Sequence, residues 1–299
     1  MKKILFALLH RLGVTSFAAW WNRKRVIFLC YHGVTERPTR APEDSKALHV
    51  NRQRFAAHLD LLARRRYHPI SLGDYLTARD TGQSLRDYSV ILTFDDGFRN
   101  FLTVAAPLLV ERSIPATVFL ITDKVAQESG QGKSSWSPED DQKSLSWAEA
   151  RMLKDQHGFE FGSHTCSHSR LLTLSPQETE RELLHSLEDL VTNLAVDRPA
   201  LSYPKGEHSK LLAAEAQKVG YACAVTTDRG YNEIDHDPFT LGRALIGDND
   251  DEAAFAVRLS GLRWWLVKTL SIVGWSRSAK TTTRETSVSA TESALQFTE

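Results

Sequence analysis

Short apolar, β-prone runs recur along the chain: VIFLCY (26–31), VILTF (90–94), ATVFLIT (116–122), FEFGS (159–163), ALSY (200–203) and ACAVT (222–226). Helical segments separate them, and this alternation predicts an α/β fold built on a parallel sheet or barrel. The helices carry their own start signals. Ser175-Pro176-Gln177-Glu178 supplies a Ser cap, Pro at the first helical position and Glu three after the cap, followed by Leu183, Leu187, Leu190 and Leu194 on one face. Ser146-Trp147-Ala148-Glu149 opens a second helix through about Lys154, and Phe55, Leu59 and Leu62 mark an earlier one. Two Ser/Pro/charge-rich segments, 35–46 and 126–144, read as loops beside the mouth of a cleft.

At 299 residues the chain is long enough for one such domain with a large core. Lys+Arg and Asp+Glu are both 37, so no strong basic field points to nucleic acid. Cys30, Cys166 and Cys223 are odd in number and unclustered, which fits buried small apolar residues in a reducing compartment rather than a disulfide framework. In MKKILFALLHRLG, His10 and Arg11 interrupt the apolar run; residues 1–25 read as an amphipathic helix rather than a signal peptide, and the expected location is cytoplasmic. No stretch reaches the ~18 apolar residues of a membrane span. The Trp-rich stretch 262–275, LRWWLVKTLSIVGW, reads first as a C-terminal helix packed on the domain, and second as a peripheral contact with the inner face of a membrane. Residues 276–299 read as a disordered tail.

Chemistry concentrates where strands end. Asp95 and Asp96 follow VILTF, and adjacent carboxylates just past a buried strand repel one another unless something compensates them. His164 and His168 follow FEFGS in HTCSH; on a helical turn that spacing lets both imidazoles face one metal ion, although a hydrogen-bonded pair has the same spacing. One carboxylate and two imidazoles around a divalent cation make a facial site with open positions, and the cation answers the repulsion of the Asp pair.

TFDDG (93–97), H-T-x-x-H (164–168) and SYPKG (202–206), in that order, resemble the motifs of the NodB-homology polysaccharide deacetylases, carbohydrate esterase family 4. The likeness runs from residue 26 to residue 245, and VIFLCYHGV resembles the opening of the bacterial exopolysaccharide-type branch. It implies an irregular (β/α) barrel with fewer than eight regular strands, here over 26–275, and hydrolysis of an N-acetyl group on an amino sugar. It also implies Asp96, His164 and His168 as metal ligands and Asp95 as general base. Zinc is the default ion, with cobalt or nickel fitting nearly as well. Thr165 is expected to brace the loop, and Cys166 to pack rather than ligate. In SYPKG the Lys205 amide matches the oxyanion donor and Tyr203 a wall of the groove, unless the segment is only a Pro-Gly turn.

Two positions depart from the family pattern. Ser202 stands where an Arg often pairs with the catalytic Asp, and Leu241-Gly242-Arg243 replaces Leu-x-His, so the usual general acid is missing. Arg243 cannot donate a proton near neutral pH, yet it can pair with Asp95 in place of the absent Arg. His32, ending the first strand, is the leading acid candidate beside a plain structural reading; His208 is weaker, and Asp228 is an open candidate for orienting such a group. The expected function is metal-dependent N-deacetylation of an N-acetylhexosamine in a polysaccharide or in a lipid- or nucleotide-linked precursor. The alternatives are hydrolysis of another non-peptide C–N bond, or a non-catalytic sugar-binding relative, against which the intact Asp95, Asp96, His164 and His168 argue.

Overall fold

β-Branched and aromatic residues fill the predicted runs, and each becomes a strand in a computed structural model that describes residues 2–36, 48–130, 143–228 and 230–262. In chain order the elements are α1 (Lys2–Arg11), α2 (Val14–Trp21), β1 (Val26–Tyr31), β2 (Val34–Thr35), β3 (Val50–Asn51), α3 (Arg52–Arg64), β4 (His68–Pro69), α4 (Leu72–Thr81) and β5 (Ser89–Phe94). A π-helical turn at Phe101–Ala105 leads into α5 (Ala106–Glu111), then β6 (Thr117–Leu120), α6 (Thr122–Gly130), α7 (Trp147–His157), β7 (Glu160–Ser163), α8 (Pro176–Leu194) and β8 (Ala200–Ser202). The last are α9 (Lys210–Val219), β9 (Cys223–Val225), β10 (Tyr231–Asn232), β11 (Ala244–Leu245) and α10 (Glu252–Leu259). Both capping boxes form, at Ser146 and Ser175.

The single helix expected over 1–25 is two helices, broken at Gly13 in the left-handed region (φ 74°) and bent by 72°. No single described helix is long and apolar enough to cross a membrane. The loop expected at 126–144 starts later, because α6 continues to Gly130. The remainder of both expected loops, residues 37–47 and 131–142, lies outside the described residues. So do the tail and all of the Trp-rich stretch except Leu262.

The sheet runs β10-β1-β5-β6-β7-β8-β9, parallel throughout except for β10 against β1. Residues 241–246 then join its two sides. Leu241 bridges Val225 of β9, β11 pairs in parallel with Leu29 and Cys30 of β1, and Ile246 N–H donates to the Cys30 carbonyl (2.9 Å). The result is the expected irregular barrel, its wall carried by β1 and β5 to β9 instead of the eight strands of a regular one.

Period-two alternation sorts the side chains. Ile27, Leu29, Tyr31, Val90, Leu92 and Phe94 pack outward with Phe55, Leu59 and Leu109 of the covering helices. Val26, Phe28, Ile91, Phe119, Ala200, Val225 and Leu241 turn inward and pack with Leu72, Tyr75 and Leu76 of α4. α4 is held at this end by the Glu160 carboxylate, which accepts from the N–H groups of Leu72 and Gly73 (3.0 Å each) at the helix N-terminus. The interior is therefore apolar at the starts of the strands, which leaves the polar residues of the same inward rows for their C-terminal ends.

Candidate active site

On β5 the inward row continues from Ile91 through Thr93 to Asp95. Asp95 is 3% exposed and faces Arg243, which is 1% exposed and sits in the joining segment 241–246. The guanidinium donates twice to the carboxylate, Nη1 to Oδ1 and Nη2 to Oδ2, both at 2.7 Å. Its other donors reach the Thr226 carbonyl (3.0 Å), Thr93 Oγ1 (3.0 Å) and Ser202 Oγ (2.9 Å), so all five N–H groups are used. Ser202 Oγ itself donates to Asp95 Oδ2 (3.2 Å). Burial pushes the Asp95 carboxyl up, but Arg243 outweighs it and holds the group well below the usual carboxylate range. Arg243 thus takes the place of the Arg that Ser202 lacks, and Ser202 links the two.

Asp96 follows in the left-handed region (φ 71°) with a half-buried carboxylate. Its Oδ1 lies 3.6 Å from His164 Nε2 and 3.8 Å from His168 Nε2, and the donor atoms of the three residues lie within 4.8 Å of one another. The His pair does not ride a helical turn as expected. Residues 164–168 form a loop in which Thr165 (φ 65°) and His168 (φ 64°) are left-handed, and this fold-back sets the rings 4.7 Å apart. Thr165 braces it: its N–H donates to Ser163 Oγ (2.9 Å), and its Oγ1 accepts from His168 N–H (3.1 Å). Cys166 turns away, with Sγ donating to the Glu182 carbonyl (3.4 Å).

The donor set fits a cation. His164 Nδ1 lies 2.7 Å from the Ser202 carbonyl, which can only accept, so Nδ1 carries the proton and the Nε2 lone pair faces Asp96. Burial and the neighbouring His164 pull His168 down to about 4, leaving its imidazole neutral near pH 7. Left-handed non-glycine residues gather here: Asp96, Thr165, His168 and Lys205 (φ 60°) all follow strands β5, β7 and β8. Backbone held in that region costs about 1–2 kcal/mol per residue and persists where the surroundings impose it, as they do at functional sites.

The remaining expected residues divide. His32 is half-buried, with a ring nitrogen within 4.8 Å of an Asp95 oxygen and Cys30 Sγ; its Nδ1 has no hydrogen-bond partner among the described residues, and burial lowers its pKa. Lys205 is exposed in a tight turn between Pro204 and left-handed Gly206, where a Cβ would come 2.7 Å from Thr227 N. Tyr203 is not on the groove wall. Strand parity turns it outward, fully buried, with its hydroxyl donating to the Phe239 carbonyl (3.1 Å) and its ring stacked on His208. His208 Nδ1 lies 3.8 Å from Asp228, whose side chain is largely exposed. Two partners of Asp95 were not singled out from sequence: Thr93, through Arg243, and Cys30, whose thiol donates to Oδ2 (3.4 Å). Cys30 lies in register with Thr93, and that pairing is the signal that would have found it.

The sequence model of the polysaccharide deacetylase family matches residues 82–224, a span that contains TFDDG, HTCSH and SYPKG. The YxkH protein of Bacillus subtilis (strain 168) is 24% identical over 236 residues, covering 77% of this chain and 79% of its own. Residues 82–224 belong to the polysaccharide deacetylase family. The protein is a hydrolase. The poly-beta-1,6-N-acetyl-D-glucosamine N-deacetylase of Escherichia coli (strain K12) is 22% identical over 270 residues, or 80% of this deacetylase and 39% of that longer protein. Among solved structures, the Streptococcus pyogenes deacetylase PplD in complex with acetate shares the fold, with a TM-score of 0.67 at 24% identity over 79% of this chain and 98% of that one. The de-N-acetylase from Aggregatibacter actinomycetemcomitans gives 0.65 at 18% identity, over 77% and 98%.

Proposed function

We propose that this deacetylase is metal-dependent and removes an N-acetyl group from an N-acetylhexosamine of a polysaccharide, or of a lipid- or nucleotide-linked precursor. The observation that carries the reading is the juxtaposition of two assemblies: the Asp96, His164 and His168 donors, and the buried Asp95–Arg243 pair next to them. Asp96, His164 and His168 hold the cation, zinc by default, with cobalt and nickel suiting the same donors. When bound, it supplies Lewis acidity to a carbonyl oxygen and to water.

The chain's own groups do the rest. Arg243 keeps Asp95 ionised, and Asp95 Oδ1, bonded to Arg243 alone, has a lone pair left to accept the proton of attacking water. The turn at Lys205 offers its amide to the oxyanion. His32, beside Asp95, returns a proton to the departing amine. The three unpaired cysteines support work in a reducing compartment, the cytoplasmic side of the membrane.

Elemental analysis of the purified protein, followed by acetate release from a panel of N-acetylated glycans, tests the reading. About one divalent ion per chain and chelator-sensitive acetate release are expected; activity indifferent to chelator in a metal-free protein would overturn it. His32→Ala should lower turnover and flatten the basic limb of kcat/KM against pH, whereas an unchanged limb with near-parental turnover returns His32 to a structural role.

A further inference from the structure

Large apolar side chains are exposed most densely at the N-terminal helix pair, which takes no part in the site. On α1, Ile4 (75% exposed), Leu5 and Leu8 follow one stripe, which Leu12 (68%) continues in the turn after it, and on α2, Phe17 (64%), Trp20 and Trp21 (63%) form another. Their opposite faces are anchored. Thr15 is buried and bonded to His10 Nδ1 (3.1 Å), Arg65 donates to Ser16 Oγ (2.6 Å), and Asn22 Nδ2 donates to the Ser260 carbonyl (2.9 Å) just beyond α10. The stripes therefore face solvent because the other side is already fixed to the barrel.

Charge distinguishes this surface from the rest of the molecule. The whole chain balances 37 basic against 37 acidic residues, yet its first 25 residues contain Lys2, Lys3, Arg11, Arg23, Lys24 and Arg25 with no Asp or Glu. Arg23 and Arg25 are paired with Asp87 and Glu233, and Arg23 also lies over the Trp20 ring at 4.7 Å. Exposed Arg11 and Lys24 have no acidic partner among the described residues.

We propose that α1 and α2 dock this deacetylase on an anionic phospholipid surface, with Leu12, Phe17, Trp20 and Trp21 entering the interface and Arg11 and Lys24 meeting lipid phosphates. Aromatic and aliphatic side chains beside unpaired cations are what a helix lying in the headgroup region presents. A second copy of the chain is a poorer occupant, because a two-fold contact through this face would oppose Arg11 and Lys24 to like charges. The stretch 262–275 is no better matched, since it carries Arg263 and Lys268 and no acid.

The test is sedimentation of the purified full chain with phosphatidylglycerol-containing vesicles and with phosphatidylcholine vesicles. Binding is expected to the first, far more weakly to the second, and to weaken with salt. Phe17→Ser/Trp21→Ser should lower the partition constant at least ~10-fold through lost apolar burial. Arg11→Glu/Lys24→Glu should lower it at least ~30-fold on anionic vesicles only, given about 1 kcal/mol for each of the two basic residues lost near such a surface. The second pair adds no polar group to an apolar face and guards against a folding defect in the first. Failure of the parent chain to sediment with either vesicle overturns the proposal, as does parental binding by both variants. A dimer that Phe17→Ser/Trp21→Ser dissociates, without vesicle binding, assigns the face to a second copy. Association that alkaline carbonate cannot strip replaces an interfacial helix pair with an inserted one.

Discussion

Asp95 and Asp96 are neighbours in sequence and opposites in environment. Asp95 is buried inside the barrel and accepts four hydrogen bonds: two from Arg243, one from Ser202 and one from Cys30. Asp96, on a left-handed residue one peptide further on, has among the described residues only imidazole nitrogens at 3.6 and 3.8 Å, too far for hydrogen bonds. The first carboxylate has its counter-charge within the protein, while the second lies among imidazole donors that suit the cation proposed above.

That contrast is most directly broken by comparing Asp95→Asn with Asp96→Asn, Asn being chosen because it tolerates left-handed backbone. Asp95→Asn should keep its metal and lose ~10²–10⁴-fold in turnover, as expected for removal of a general base. Equal metal loss in both variants, read by elemental analysis, would erase the division of labour.

Arg243→Met comes next, because it leaves a buried carboxylate without its partner; urea denaturation should show a loss of about 3–5 kcal/mol near neutral pH. The deficit should depend on pH with a definite sign. In the parent, the lowered carboxyl stabilises the fold fully above the ordinary value of ~4, and that stabilisation is lost as pH falls through the depressed folded value. In the variant burial acts alone and raises the carboxyl, so protonation relieves it. Parent and variant stabilities should therefore draw together as pH falls and meet only once the parent's depressed carboxyl is protonated, and a pH-independent gap would mean the loss is one of packing.

Cys30→Ala sharpens the comparison at lower amplitude. Removing one thiol donor from an otherwise satisfied carboxylate should cost about 0.5–1.5 kcal/mol, with metal content unchanged. The smallest effect is expected at the other member of the pair: Asp96→Asn should leave the stability of the metal-free protein within about 0.5 kcal/mol, because no hydrogen bond is lost.

Much of this site was legible because the signals were local. Each apolar run that precedes a motif forms the strand it predicts, and the vacant Arg position at Ser202 pointed to Arg243 as the partner of Asp95. What escaped was either backbone conformation or long-range pairing. Nothing in HTCSH announces left-handed Thr165 and His168; the loop is imposed by Ser163 below it and by the packing of Cys166 against α8. Tyr203 was misplaced although ALSY alternates, since Ser202 facing Asp95 forces the next residue outward. The joining segment holds one two-residue strand, β11, and a single bridge at Leu241, with no apolar run of its own, so its pairing is set by β1 and β9 rather than by propensity.

The Asp95–Arg243 clasp spans 148 positions along the chain. Contacts at such separation are paid for in loop-closure entropy before they return anything, and so tend to form late. A chain interrupted before Leu241 could build β1 through β9 and still present Asp95 as an uncompensated carboxylate in an open-sided sheet. If Asp95 is the base proposed above, its competence is conditional on arrival of the last piece of the barrel, and a nascent or clipped molecule is expected to be silent without any separate inhibitor.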